Sequence, residues 1–438
     1  MRKYQQLCLV IISILSITIL LIYRSENSRL KYVLEVVNFF GRDSDLAINS
    51  NLPHDFTNPL PLWQRIGTDL HAYSSFWYQE PLTKGGLVIT IVAGLKKSPV
   101  SFNCDAVLAD ERVIKGKFLF VRCEDEKAPP NTATEEKLNE NFVVYQFVCK
   151  LPMERDVPKS IIFTDIISKS RHTVAVRDLN HKTRNPKNRL TECLDLLPSS
   201  FLTTPDRKYF MTDHNLLEYF FHHQVVGIDE FIIYDNGAVD GYLKETLLKH
   251  GIRAYVLPFN FPFEFSNDKK IKRILQMDCE FRAYSLSDYY ILKKPNEYIY
   301  TNSYLKSNNS SLLLLDDSHT LAFEVFTNNV CLSNKPEEII SKNLNKIESY
   351  LNQQEDKTFP VLKKPKVISF GDSAELPKKP VTLFNERFFI NRYISCDNKT
   401  KLHTSLWNEN VNAQFLQYLN KVNTEVIKLK SKISIGRI

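Results

Sequence analysis

Between His214 and Lys293, apolar runs alternate with segments of helical spacing, and this alternation constrains the fold more than any other feature. "HNLLEYFFHHQVVG" has helical spacing and ends at Gly227, a natural C-cap. A strand-like run, Phe231 to Tyr234, follows; then come "GYLKETLLKHG" and the strand-like "IRAYVLPF". "DKKIKRILQMDCEFRAYSLSD" reads as another helix and "YYILKK" as another strand. Such β-α-β succession implies a parallel sheet. Open α/β sheets bind ligands at the carboxyl ends of their strands. A strand that ends in Asp235-Asn236 therefore sets a carboxylate and an amide on that rim. Asp235, Asn236 and Asp240 read as a nucleotide-facing loop, although Asp and Asn also suit any strand-to-helix turn.

Upstream the pattern differs. From Gly86 to about Leu197 short runs such as "GLVITIVAGL", "NFVVYQFVCKLP" and "HTVAVRDL" are rich in Val, Ile, Phe and Tyr, which predicts a β-rich module. Downstream, 334–354 reads as a charged helix, and the Pro- and Lys-rich stretch after it as loop. With 438 residues the chain can bury more than one core. The segments are read as 1–23 cytosolic tip and signal anchor, 24–85 stem, 86–200 β-rich accessory module, 201–332 nucleotide-sugar domain core, and 333–438 C-terminal helices and loops. A net charge of +7 without a dense Lys/Arg block leaves nucleic acid outside the expected partners.

Residues 7–23, "LCLVIISILSITILLIY", carry no charge and follow Arg2 and Lys3. The run is short for a membrane span and long for a signal-peptide core, and both readings stand. The uncleaved anchor predicts a single-pass type II membrane protein of the Golgi or endoplasmic reticulum lumen. Eight dispersed cysteines without Cys-x-x-Cys argue against a zinc ribbon. Sequons at Asn308, Asn309 and Asn398 are candidate glycosylation sites.

The stretch from His214 to Phe259 resembles the catalytic domain of glycosyltransferase family 92. Glu218, Gly227, Asp229, Phe231, Tyr234, Asp235 and Asn236 carry the likeness, and Gln276, Cys279 and Arg282 resemble the family's Gln-x-x-x-Cys-x-x-Arg helix with one residue fewer. The likeness extends from about Gly86 to about Asn334. It implies an α/β, GT-A-like fold, a mixed but mainly parallel sheet flanked by helices. The β-rich module and the N-terminal transmembrane helix would precede it. It also implies transfer of a hexose, galactose or a related sugar, from a UDP-sugar to a glycan acceptor. Asp235, Asn236, Asp240, Gln276 and Arg282 become the expected substrate-binding residues.

One departure matters chemically. The family's Asp-x-Asp holds a divalent cation against the leaving diphosphate. Here "YYILKKPNEYIY" has Lys294 and Asn296 at those places, followed by Glu297 and Tyr298. Three readings compete: metal-free transfer with Lys293 and Lys294 supplying positive charge; a catalytically silent glycan- or protein-binding relative; or a manganese site built from Glu297 and a distant His403. The residues themselves dictate no cofactor. Glu297 and Asp317, the latter ending "SLLLLDD", are candidate bases, with Lys294 as the candidate electrostatic residue. His214, Glu218 and His222 fall on one helix face but drift by roughly 40° per step, so they read as a packed face and not a metal site. The aromatic cluster Tyr255–Phe265 reads as core before acceptor cleft. No phosphate-loop or Gly-x-Ser-x-Gly motif occurs.

Overall fold

In the computed structural model, runs rich in β-branched and aromatic residues make strands along most of the described residues. The structure describes residues 62–79, 85–123, 142–152, 156–178, 190–197, 210–228, 230–235, 239, 241–263, 268–284, 287, 289–301, 322–332, 350–351, 358–363, 381–382, 388–395, 424 and 428. Eight strands form the first sheet: β1 (Gln64–Gly67), β2 (Leu70–Gln79), β3 (Gly86–Leu95), β4 (Phe102–Val107), β5 (Val113–Cys123), β6 (Phe142–Leu151), β7 (Ser160–Asp165) and β8 (Arg171–Asp178). They pair in the order β1-β2-β3-β6-β5-β4-β7-β8, and β8 returns to β2 in parallel, Ser75 opposite Val176. Strands β2 to β8 thus close a seven-stranded barrel. Side chains such as Trp77, Val88, Phe102, Phe147 and Phe163 fill it. A Cys104–Cys149 disulfide joins β4 to β6 across β5. Gly116 of β5 lies beneath it, and a Cβ there would sit 2.1 Å from Cys149 Sγ. The first sheet starts at Gln64 and its barrel at Leu70, both inside the stretch read as stem.

The second sheet contains β9 (Leu190–Asp195), β10 (Glu230–Asp235), β11 (Arg253–Pro258), β12 (Tyr289–Lys293), β13 (Glu297–Thr301), β14 (Ala322–Leu332), β15 (Tyr350–Leu351), β16 (Thr358–Lys363), β17 (Val381–Thr382) and β18 (Phe388–Ser395). Its main path runs β11-β10-β9-β12-β16-β14-β18-β13. The first four strands are parallel. From β12 to β16 to β14 the pairing is antiparallel. Three helices connect the parallel part: α1 (Asp213–Val226), α2 (Gly241–Lys249) and α3 (Asp268–Ala283). Thr212 caps α1 by accepting from the Asn215 amide, and Gly227 ends it at φ 112°. Phe220 of α1 packs edge-on against Phe231 of β10, and α2 lies beside α1. On the opposite face a Cys193–Cys279 disulfide fastens α3 to β9.

Helix α3 also joins the two sheets. Its Ile274 and Leu275 share one core with Ile89 and Ile91 of β3 and with Ile232 and Tyr234 of β10. At its centre Asp278 accepts from Ser74 Oγ (2.5 Å), Tyr234 Oη (2.9 Å) and Arg282 Nε (2.6 Å). A buried carboxylate is tolerable only with such partners.

The fold corrects several expectations. It is not a helix-flanked, mainly parallel GT-A-like α/β fold. The described chain is mostly strand, it contains a closed barrel, and its three helices have 14, 9 and 16 residues. The reason lies past Lys293, where runs such as "AFEVFTNNVCL" and "FFINRYIS" add strands that the reading of the C-terminal part did not include. Tyr350–Leu351 is strand where a charged helix was expected, and β16 occupies a stretch read as loop. No helix among the described residues is long and apolar enough to cross a membrane. Residues 7–23 lie outside the described residues. The transmembrane helix, the signal anchor and the single-pass type II placement in the Golgi or endoplasmic reticulum are accordingly not retained.

Candidate functional site

The parallel strands step outward from β9 to β10 to β11, and α3 then returns the chain so that β12 lies on the other side of β9. The strand order therefore reverses between β9 and β12, and beyond the carboxyl ends at such a switch point open sheets take their ligands. Asp195 ends β9 and is buried, with its Oδ1 accepting from the Leu197 amide at 3.0 Å. Asp235 ends β10 and accepts from the Val239 amide at 3.0 Å. Both carboxylates shape the loops that leave the sheet. Strand β12 ends in Lys293, and a tight turn follows. Glu297 closes that turn twice: its amide donates to the Lys294 carbonyl and its Oε2 accepts from the Lys294 amide, each at 3.0 Å.

Below the turn, on the α1 face, lies a cluster of buried polar groups. Glu192 of β9 accepts from the Tyr219 hydroxyl of α1. Lys293 Nζ lies 3.9 Å from Glu192 Oε1 and 3.2 Å from His223 Nε2. The tautomer of His223 follows from its partners. Its Nδ1 donates to the Tyr219 carbonyl at 2.8 Å, and its Nε2 accepts from the Ile299 amide at 3.2 Å. His222 Nε2 donates to the Ile299 carbonyl at 2.8 Å. Burial, reinforced by the Lys293 charge, holds His223 well below its ordinary range. Burial likewise brings His222 down to about 4. The 3.6 Å contact of His223 with Glu192 Oε2 is thus between a neutral ring and a carboxyl, not an ion pair. Burial pushes Glu192 up to about 7 against the pull of Lys293, and brings Lys293 down to about 8 against the pull of Glu192 and Glu297.

These placements sort the expected site residues. Lys293 is 1% exposed and faces the cluster, so it is not a cation for a ligand beyond the strand ends. Lys294 is half-buried at the turn. Glu297 is fully buried and committed to the Lys294 amide, so it reaches an acceptor hydroxyl only if the turn opens. Arg282 lies in the interior, held by Asp278, with its guanidinium 5.4 Å from the Phe76 ring centroid. Gln276 is half-buried beside Tyr290, and Cys279 is spent on the disulfide. Glu218 and His222 are buried, and Phe259, Phe261 and Phe263 pack with Trp63 and Phe142 as core. Asn236, Asp240, Asp317, His403, Asn308, Asn309 and Asn398 lie outside the described residues.

A manganese site does not fit Glu297, because the carboxylate already bonds an amide and lies within the field of the Lys293 ammonium. Among the described residues no three His, Cys, Asp or Glu side chains gather as a metal set. Sequence reasoning missed Asp195, although "LTECLD" ends in the same manner as "EFIIYD". It also missed Glu192, a lone acid in an apolar strand, the role of His223, and Asp278.

No family model matches the chain, and no curated protein matches it. Among solved structures, the crystal structure of amylomaltase from Corynebacterium glutamicum is similar at 11% identity and a TM-score of 0.12. The match covers 33% of this chain and 19% of that one, and a likeness of this size carries no argument.

Proposed function

We propose that the chain binds a UDP-sugar at the carboxyl rim of its four parallel strands and transfers the hexose, galactose in the first instance, to a glycan acceptor. The observation that carries this reading is the strand order β11-β10-β9-β12, which puts a topological switch point between Asp195 at the end of β9 and the turn at Lys294 after β12. The motif resemblance to glycosyltransferase family 92 supports the choice of ligand. In the reaction an acceptor hydroxyl oxygen bonds to the anomeric carbon as the bond to the diphosphate oxygen breaks. UDP leaves with the bonding pair, and the hydroxyl proton passes to a base, for which Asp317 is the candidate. The Lys294 ammonium offsets charge on the leaving diphosphate. A second reading, a binding module without turnover, is favoured by the full burial of Glu297. The test is incubation of the full chain with UDP-hexoses and glycan acceptors, monitoring UDP release. Acceptor-dependent release supports transfer. Saturable UDP binding without release supports the binding module, and neither result sinks both.

A further inference from the structure

Strand β13 ends the path of the second sheet, and β18 is its one sheet neighbour among the described residues. An edge strand leaves backbone groups that must be covered. At Ile299 two consecutive histidines of α1 do this: His223 Nε2 takes the amide and His222 Nε2 supplies the carbonyl's donor. The pair stands in for a neighbouring strand. Lys293, at the end of β12, bonds the same His223 nitrogen, and Glu192 of β9 holds Lys293 and Tyr219. Glu297, two residues before Ile299, closes the turn that begins at Lys294. The groups that meet here are Glu192 from β9, Tyr219, His222 and His223 from α1, Lys293 from β12, and Glu297 and Tyr298 from β13. They brace the turn at both ends, one end through Lys293 and the other through Ile299.

We propose that Glu192, His223 and Lys293 form a positioning unit that fixes the Lys294–Glu297 turn, and with it the backbone that carries Lys294, at the switch point between β9 and β12. The inference about ligand rests on the reading above; the inference about the turn does not. None of the three needs to touch substrate. Their charges and hydrogen bonds set the backbone that carries Lys294. A neutral ring is essential, because a protonated Nε2 cannot accept from the Ile299 amide.

The test is amide hydrogen exchange over residues 290–300 of the full chain, with β3 as internal control. Lys293→Met leaves Glu192 buried without its cation, and exchange of the Lys294, Glu297 and Ile299 amides should quicken about tenfold or more while β3 is unchanged. Glu192→Gln combined with Lys293→Met leaves no unpaired charge but still lacks the brace, and the turn amides should stay about as fast as in the single variant. His223→Gln keeps an acceptor and should retain the Ile299 amide's protection, which His223→Leu loses. Unchanged exchange in Lys293→Met overturns the proposal. Equal loss in β3, which marks general destabilisation, or full recovery in the double variant, which shows that the turn needs neither charge, also overturns it. A parallel UDP titration separates the two claims. If the wild-type chain ignores UDP, the nucleotide reading fails while the exchange data still decide the positioning unit. If UDP binds, Lys293→Met should weaken it about tenfold and the double variant should not recover it.

Discussion

Replacing Lys293 with Met tests the energetics of the buried cluster. The ammonium lies 3.9 Å from Glu192 Oε1, and both side chains are fully buried. At an effective dielectric of about 20 that separation corresponds to about 4 kcal/mol. This agrees with the roughly 3–5 kcal/mol lost when one partner of a buried pair is removed. The pH dependence has a definite sign. Glu192 rises from its ordinary 4.5 to about 7 on folding. Its contribution to stability is therefore full below its unfolded value and falls by about 3 kcal/mol as pH rises through about 7. Lys293 comes down from 10.5 to about 8, so its contribution is full above its unfolded value and is lost as pH falls through about 8. Without the ammonium, the Glu192 carboxyl rises further and its loss of stability extends to higher pH. Below about pH 6 Glu192 holds its proton in both proteins, and the variant lacks chiefly the attraction between Lys293 and Glu297. Urea unfolding at about pH 5.5 and about pH 8 should show the gap between wild type and variant widening by about 1–2 kcal/mol at the higher pH. A gap independent of pH would refute the coupling. So would a Glu192→Gln/Lys293→Met variant no more stable than the single one at about pH 8.

Other perturbations reach the frame around the site. Asp278→Asn should cost about 3–5 kcal/mol in urea unfolding, because it strips Arg282 of its buried counter-charge and weakens the link from β2 to α3. Gly116→Ala forces a Cβ to within 2.1 Å of Cys149 Sγ and should cost at least about 1–3 kcal/mol, read as a lower thermal midpoint. Replacing Cys193 and Cys279 by serine should cost about 2–4 kcal/mol, seen in unfolding with the Cys104–Cys149 bond intact.

Much of the local structure was legible where one face is apolar. The run "GLVITIVAGL" is β3 residue for residue, and Gly227 ends α1 as its position before an apolar run suggested. Barrel closure was not legible, because the return of β8 to β2 pairs residues about a hundred positions apart and leaves no local pattern. The site was half legible. A strand ending in Asp marks a rim, yet strand order alone decides which rim is the switch point, and that order moved attention from Asp235 to Asp195. Lys293 and Lys294 look alike in sequence. Strand alternation turns the first inward to Glu192 and leaves the second at the turn. Arg282 reads as a ligand-binding cation until its partner four residues back, Asp278, is seen to meet Ser74 and Tyr234. Among the described residues Cys104 pairs with Cys149 and Cys193 with Cys279, pairings that dispersed cysteines alone did not establish.

The central claim is that the switch point between β9 and β12 takes a uridine nucleotide. Calorimetric titration of UDP into the full chain, with and without manganese, tests it most directly, using wild type, Asp195→Asn and Lys294→Ala. The account predicts saturable binding that manganese leaves unchanged and that each substitution weakens about tenfold or more. Absence of binding, or binding that both substitutions leave untouched, would contradict it.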